Sequence, residues 1–124
     1  MTAPLPEIAL VDDDPSVRTA LQFSLELEGF RVVTYESAEA LIALDGLARA
    51  QCLIIDYRLP GADGIALVTR LRDEGNLIPA ILITSNPSRS VIWCANELDA
   101  RIVEKPLLDS ALLDILVQLA RRLN

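Results

Sequence analysis

The chain has 124 residues, 52% of them hydrophobic, with a formal net charge of −7 at pH 7 and no histidine. This length is sufficient for one domain with its own core, whereas the acidic balance argues against direct nucleic-acid binding, which needs a basic surface. The absence of histidine excludes histidine-based general bases, nucleophiles and metal sites. No apolar run reaches the roughly 20 residues of a membrane-spanning helix.

The amino-terminal residues and the cysteines indicate the compartment. Residues 1–7 contain neither the basic region nor the apolar core of a signal peptide. Cys52 and Cys94 form neither a disulfide framework nor a metal-ligand spacing. We therefore expect a cytoplasmic protein that does not associate with membranes.

The first half of the chain alternates short apolar runs with helical patterns. A strand is predicted over residues 8–11, and Asp14 followed by Pro15 marks the start of a helix that Gly29 ends. A more exposed strand over residues 31–35 precedes a short helix, capped by Ser37, that runs to about residue 47. The apolar residues 53–55 predict a strand buried on both faces, as in a parallel sheet.

The second half repeats this alternation. A loop containing Pro60 leads to a helix over about residues 64–75, and strands are predicted over residues 80–83 and 102–103. The helix between them runs from residue 88 or 90 to 98, and the last helix from residue 109 or 110 to 123. Each connection is long enough for a right-handed crossover. Residues 1–124 are therefore predicted to form one doubly wound α/β domain with five parallel strands and five helices.

Polar side chains follow four of the five predicted strands: Asp12 and Asp13, Asp56, Thr84, and Lys105. The carboxyl ends of parallel strands lie at one edge of the sheet, where open α/β sheets bind their ligands, so these side chains should converge. Two unit charges roughly 4 Å apart repel by ~4 kcal/mol at an effective dielectric of about 20. Three carboxylates in one pocket therefore call for a cation, and oxygen ligands with room for water suit Mg²⁺.

At these positions the chain resembles the receiver (CheY-like) domain of two-component response regulators, across essentially its whole length. Four motifs carry the resemblance: Asp12-Asp13 after the first strand; Asp56 with Leu59-Pro60 and Asp63-Gly64; Thr84-Ser85; and Lys105-Pro106. The resemblance implies a flavodoxin-like sheet with strand order 2-1-3-4-5, and a cis bond before Pro106.

The resemblance also implies a chemistry. A sensor histidine kinase or phosphotransfer protein would donate a phosphoryl group to Asp56. Asp13, Asp56 and the backbone carbonyl of Arg58 would ligate Mg²⁺, with Asp12 acting mainly through bound water. Thr84 and Lys105 would each bind a phosphoryl oxygen. The chain would catalyse only its own phosphorylation and dephosphorylation, and would not otherwise be an enzyme.

The output side departs from the usual family pattern. Ile102 occupies the position of an aromatic or histidine switch residue, and Pro87 stiffens the loop that is expected to move. Helical periodicity places Val91 and Ala95 inward and Trp93 outward. We expect Trp93 to belong to a homodimer, partner or output-domain surface formed by the fourth helix, fifth strand and fifth helix.

Two other functions remain open. A pseudo-receiver would bind partners without phosphorylation. Residues 12–16 also fit the D-x-D-x-[ST] motif of haloacid-dehalogenase-like phosphatases, with Asp12 as the nucleophile. That reading leaves Asp56 without a role and lacks an acidic metal pair after Lys105. A flavin-binding module is disfavoured because three aspartates would repel a phosphate.

Overall fold

A five-stranded parallel sheet forms the centre of the protein, whose computed structural model describes residues 7–59, 62–105 and 111–123. Within these ranges seven strands follow one another: β1 (Glu7–Val11), β2 (Arg31–Tyr35), β3 (Cys52–Asp56), β4 (Arg58–Leu59), β5 (Ala62–Asp63), β6 (Ala80–Thr84) and β7 (Ala100–Glu104). The sheet has the spatial order β2-β1-β3-β6-β7, with every neighbouring pair parallel. Numbered among themselves these five strands have the predicted order 2-1-3-4-5. The two-residue strands β4 and β5 form a separate antiparallel pair that was not predicted.

The described residues form five helices, of which the first four lie between strands and the fifth follows β7: α1 (Pro15–Leu27), α2 (Ala38–Ala43), α3 (Gly64–Asp73), α4 (Arg89–Glu97) and α5 (Ala111–Leu123). The side chains of Asp14, Ser37 and Ser88 accept hydrogen bonds from the first turns of α1, α2 and α4, as the cap residues predicted. The predicted starts of α5 at residue 109 or 110, and the cis bond before Pro106, lie outside the described residues. Among those that are described, no helix is long and apolar enough to cross a bilayer.

The second helix ends earlier than predicted. It stops at Ala43 instead of continuing to about residue 47. Asp45 adopts a left-handed conformation with φ 52°, which ends a right-handed helix, and the Gly46 amide donates back to the Leu41 carbonyl. A Cβ atom at Gly46 would collide with the side chains of Tyr35 and Leu41, so any larger residue would force these buried side chains to shift.

Both faces of the sheet are covered, which explains the uninterrupted apolar strands. The helices α1 and α5 pack with one face of the sheet, and the fully buried residues there include Ile8, Leu10, Ile54, Ile81 and Ile83. The helices α2, α3 and α4 pack with the other face, where the buried residues include Ala9, Val11, Leu53, Ile55 and Leu82. The helices therefore leave the carboxyl edge of the sheet open to a site.

Arg72 joins the carboxyl ends of two helices. Its Nε donates to the Leu98 carbonyl at the end of α4, with a distance of 2.8 Å. Its Nη1 donates to the carbonyls of Asn76 and Ile78, at 3.0 and 2.8 Å. One guanidinium from the last turn of α3 thus holds both the following loop and Leu98, the C-cap residue of α4.

Gly64 lies against the backbone of the strand that carries Asp56. A Cβ atom at Gly64 would stand 2.9 Å from the Asp56 carbonyl oxygen and 2.5 Å from Cδ1 of Leu82. Because the carbonyl belongs to a central strand, it cannot move aside as a flexible side chain does. We expect Gly64→Ala to lower the free energy of unfolding by about 1–3 kcal/mol, measured by urea denaturation, and to shift the Asp56 amide resonance.

Gly75→Ala is the matched control for this substitution. Gly75 has φ +81° but nothing lies within 4 Å of its Cβ position, so its cost is backbone strain alone. It should leave the Asp56 resonance unchanged. Equal shifts of that resonance in both variants would refute the close-approach explanation.

Candidate functional site

The carboxyl ends of β1, β3, β6 and β7 surround an open cleft of about 470 Å³. The cleft is lined by all the predicted site residues together with four others: Asp12, Asp13, Asp14, Val17, Asp56, Arg58, Thr84, Ser85, Asn86 and Lys105. The fold therefore brings together residues up to 93 positions apart, from Asp12 to Lys105. Their location follows from parallel strand order, while their chemical roles stay predictions.

Asp56 is the last residue of β3 and is only 6% exposed. The Nζ atom of Lys105 donates to its Oδ2 at 2.7 Å, and the Arg58 amide donates to its Oδ1 at 3.1 Å. Each carboxylate oxygen thus has a donor of its own, which fixes the orientation of the carboxylate. The Lys105 side chain remains 32% exposed, so this ion pair stands at the border between cleft and solvent.

Three carboxylates are close enough to share one cation. Oxygen atoms of Asp12, Asp13 and Asp56 lie within 4.8 Å of one another. Asp12 is buried and its Oδ1 accepts a hydrogen bond from the Asp14 amide at 2.9 Å, whereas Asp13 is exposed. Such an all-oxygen set, partly open to water, fits the preference of Mg²⁺ for hard ligands and retained waters.

Burial raises the pKa of Asp12 from 3.8 to about 6, against the lowering effect of the hydrogen bond from the Asp14 amide. The charge of Asp56 and a hydrogen bond with its side chain raise this pKa further, while the charge of Lys105 lowers it. A raised folded-state pKa means that the folded protein binds the proton more tightly than the unfolded chain does. The contribution of Asp12 to stability is therefore largest below pH 4 and is lost as the pH rises through about 6.

Cation binding should have the opposite pH dependence, because Asp12 must lose its proton to attract a metal. As the pH rises toward 6, we expect the Mg²⁺ dissociation constant to fall by up to ~tenfold per pH unit. Above pH 7 it should level off. Calorimetric titrations at a series of pH values measure this directly, and Asp12→Asn should flatten the profile. A dissociation constant that stays level between pH 5 and 7 in the parent protein would contradict the assignment.

Thr84 is the buried last residue of β6, and its backbone is joined to that of Lys105. The Lys105 amide donates to the Thr84 carbonyl at 2.9 Å. Among the residues that the structure describes, the one hydrogen-bond contact of the Thr84 hydroxyl is a long one, 3.4 Å, to the Ser85 carbonyl oxygen. A hydroxyl held this weakly can rotate to a better acceptor at little cost. The loop that follows includes Asn86, whose φ of 45° is left-handed.

Sequence reasoning missed Arg18. Its Nη1 donates to the Asp12 carbonyl at 2.7 Å, from the side of α1 that faces the cleft loop. A basic side chain close to the amino end of a helix is disfavoured by the helix dipole, and that was the available signal. The acceptor is a backbone carbonyl, which leaves no mark in the sequence.

The family model described as the response regulator receiver domain matches residues 8–117 of the chain. The chain belongs to this family. The family assignment, together with the strand order and the cleft, leaves the phosphatase and flavin-module readings without support.

Curated relatives of this receiver domain include transcriptional regulators. The transcriptional regulatory protein FixJ of Bradyrhizobium diazoefficiens is 35% identical over 85% of this chain and 52% of that protein. FixJ of Rhizobium meliloti is 32% identical over 94% of this chain and 57% of that protein. The C4-dicarboxylate transport transcriptional regulatory protein DctD of Pseudomonas aeruginosa is 34% identical over 87% of this chain but 24% of its own. The chain spans about half or less of these relatives.

Solved structures of receiver domains resemble this chain as well. The crystal structure of FixJ-N matches with a TM-score of 0.82 and 31% identity, covering 98% of this chain and 96% of that one. The chemotaxis protein CheY4 of Vibrio cholerae matches with a TM-score of 0.82 and 23% identity, covering 93% and 98%. The FixJ-N match supports the family assignment, and the CheY4 match supports the fold.

Proposed function

We propose that this receiver domain accepts a phosphoryl group on the carboxylate of Asp56 from the phosphohistidine of a sensor histidine kinase or phosphotransfer protein. A carboxylate oxygen attacks phosphorus, the P–N bond breaks, and the imidazole leaves with the electron pair and takes up a proton. The observation that carries the proposal is the buried Asp56 carboxylate, oriented by Lys105 at 2.7 Å beside two further carboxylates.

The acidic cluster supports a Mg²⁺ site in the same cleft. Asp13, Asp56 and the backbone carbonyl of Arg58 would hold the ion, with Asp12 acting through bound water. When bound, Mg²⁺ offsets the negative charge of the carboxylates and of the phosphoryl oxygens. The carboxylates themselves keep the cleft electrostatically unfavourable for a phosphoryl group until that charge is offset.

Lys105 and Thr84 would bind the transferred group. Phosphorylation occupies one oxygen of Asp56, and the Lys105 ammonium then pairs with a phosphoryl oxygen instead of the free carboxylate. The Thr84 hydroxyl, with its long 3.4 Å contact to Ser85, exchanges that contact for a phosphoryl oxygen. Turning Thr84 toward Asp56 draws on the loop that leads to α4, which is a local electrostatic event with a packing consequence.

The proposed phosphotransfer also implies a compartment and an output for the chain. Phosphotransfer from a kinase implies a cytoplasmic protein that catalyses only its own phosphorylation and dephosphorylation. The relatives named transcriptional regulatory proteins favour transcription as the output, through a partner or an attached domain, while this acidic segment does not itself bind nucleic acid. Residues 1–124 acting as a single receiver domain is part of this proposal.

The test is chemical trapping of the acyl phosphate. The protein is incubated with acetyl phosphate and Mg²⁺, and intact mass spectrometry should show one added phosphoryl group. Hydroxylamine converts an acyl phosphate to a hydroxamate, which peptide mapping should locate at Asp56. A sample without Mg²⁺ is the control. Absence of labelling with both acetyl phosphate and phosphorylated kinases would favour the pseudo-receiver instead.

Trp93 supports a docking surface on α4. It is 64% exposed and its neighbour Ile92 is 42% exposed, while Val91 and Ala95 are buried, in agreement with the helical periodicity. Tryptophan is enriched among residues that anchor interfaces. We propose that Trp93 contributes to a self-association or partner surface with β7 and α5, and that coupling to Asp56 is weak because Ile102 lacks an aromatic ring.

Sedimentation velocity at rising concentration, with and without beryllofluoride, measures this association. We expect self-association or partner binding that Trp93→Ala weakens by roughly tenfold or more. Phe23→Ala is the matched control, since Phe23 is 66% exposed on α1, which packs on the face of the sheet opposite to α4. A monomer under all conditions, together with partner binding that Trp93→Ala leaves unchanged, would eliminate the surface.

A further inference from the structure

Three hydrogen bonds hold the backbone around Asp12 in place. The Asp12 carbonyl accepts from Arg18 Nη1 at 2.7 Å, and the Asp12 amide donates to the Tyr35 carbonyl at 3.1 Å. The Asp12 side chain accepts from the Asp14 amide at 2.9 Å. The carbonyl of the Asp12–Asp13 peptide is held by the Arg18 side chain, so a substitution of Arg18 can remove this contact and leave the Asp12 side chain intact.

The direction of the Asp13 carboxylate depends on the position of the Asp12–Asp13 peptide. Its carboxylate is exposed and accepts no hydrogen bond from the part of the chain that the structure describes. The backbone therefore decides where the Asp13 carboxylate points. Ordering a residue of a loop costs conformational entropy, and a contact that fixes the loop beforehand removes that cost from cation binding.

Arg18 has no evident structural reason for its position. Within residues 7–59, 62–105 and 111–123 it forms no ion pair, yet its side chain is partly buried. It stands on α1 near the positive end of the helix dipole, where a cation is disfavoured. The short hydrogen bond to the Asp12 carbonyl is what it gains there.

We propose that Arg18 is a positioning residue for the acidic pair, holding the Asp12–Asp13 peptide so that the Asp13 carboxylate faces the cleft before a cation binds. This rests on the proposed metal site. Outer contacts that orient metal ligands typically contribute 10–100-fold in metal affinity. The role is geometric, since the acceptor is a neutral carbonyl, so another donor of similar reach should replace the guanidinium.

The test compares Arg18→Met, Arg18→Lys and Arg31→Met in the full chain. The methionine variant keeps the aliphatic stem without a donor, and we expect its Mg²⁺ dissociation constant, by calorimetry, to rise about tenfold. The lysine variant should recover most of the affinity. Arg31 is 71% exposed and meets Glu7 only at 4.0 Å, at the opposite edge of the sheet, so Arg31→Met controls for the loss of one positive charge.

A second readout needs no metal. In Mg²⁺-free protein, the amide resonances of Asp13 and Asp14 should shift or broaden in Arg18→Met but not in Arg31→Met. If the parent protein binds Mg²⁺ and Arg18→Met binds it within twofold, Arg18 has no positioning role and the proposed function stands. If the parent itself does not bind Mg²⁺, both this inference and the metal site are wrong.

Discussion

Asp56→Asn is expected to abolish phosphorylation by acetyl phosphate and by any cognate kinase. The asparagine side chain is nearly the same size, but its single oxygen can accept from only one of the two donors, Lys105 and the Arg58 amide, that contact separate oxygens of Asp56 in the parent. It lacks the negative charge that makes the carboxylate a nucleophile. Intact mass spectrometry after incubation with donor and Mg²⁺ should therefore show no more than ~1% of the parent labelling, a loss in the range seen when a nucleophile is removed.

Asp63→Asn is the matched control for that result. Asp63 is exposed and caps α3 by accepting from the Ala66 amide at 2.7 Å, and asparagine is an equally good cap. The control variant should label as the parent does. Labelling of Asp56→Asn at the parent level, or a hydroxamate mapped to Asp12 or Asp13, would assign the phosphoacceptor elsewhere.

Mg²⁺ is expected to raise the melting temperature of the parent protein by roughly 10 °C at one hundred times its dissociation constant. A ligand that binds only the folded state stabilises it by about 2.7 kcal/mol at that concentration, and for a domain of this size each kcal/mol moves the transition by several degrees. The physical cause is relief of the repulsion among carboxylate oxygens that lie within 4.8 Å. Thermal scans over a Mg²⁺ series measure the shift.

Asp13→Ala should remove most of this Mg²⁺-dependent increment. In metal-free buffer the same variant should melt no lower than the parent, because it deletes one of three mutually repelling charges. Asp73→Ala, at an exposed position at the end of α3, is the control and should keep the full increment. A parent melting curve that is indifferent to Mg²⁺ would exclude the metal site.

The topology and the position of the site could be predicted because both follow from simple patterns. Unbroken apolar runs occur where a strand is buried on both faces. The structure buries all three residues of one such run, 53–55, completely. Parallel strands then place Asp12, Asp56 and Thr84 at one edge whatever the loops do. Cap residues marked the helix starts for the same reason, since Asp14, Ser37 and Ser88 each satisfy a local backbone amide.

Other features of the structure leave no pattern in the sequence from which they could be predicted. The strands β4 and β5 have two residues each, too short to show periodicity. The early end of α2 depends on a left-handed Asp45 and on the space beneath Gly46, which tertiary packing decides. Contacts from arginine to a carbonyl, as in Arg18 and Arg72, depend on which backbone group the fold brings within reach.

The hydrogen bond from Arg72 to the Leu98 carbonyl restrains α4 at its carboxyl end. The carboxyl end of the helix is tied to α3 through the Leu98 carbonyl, while its amino end follows the loop from Thr84. We therefore expect a displacement of that loop to tilt the helix about Leu98 instead of translating it. With a rise of about 1.5 Å per residue, the amino end stands roughly 15 Å from the pivot and Trp93 about halfway along. If the proposed turning of Thr84 displaces that loop, Trp93 should move about half as far as the loop does.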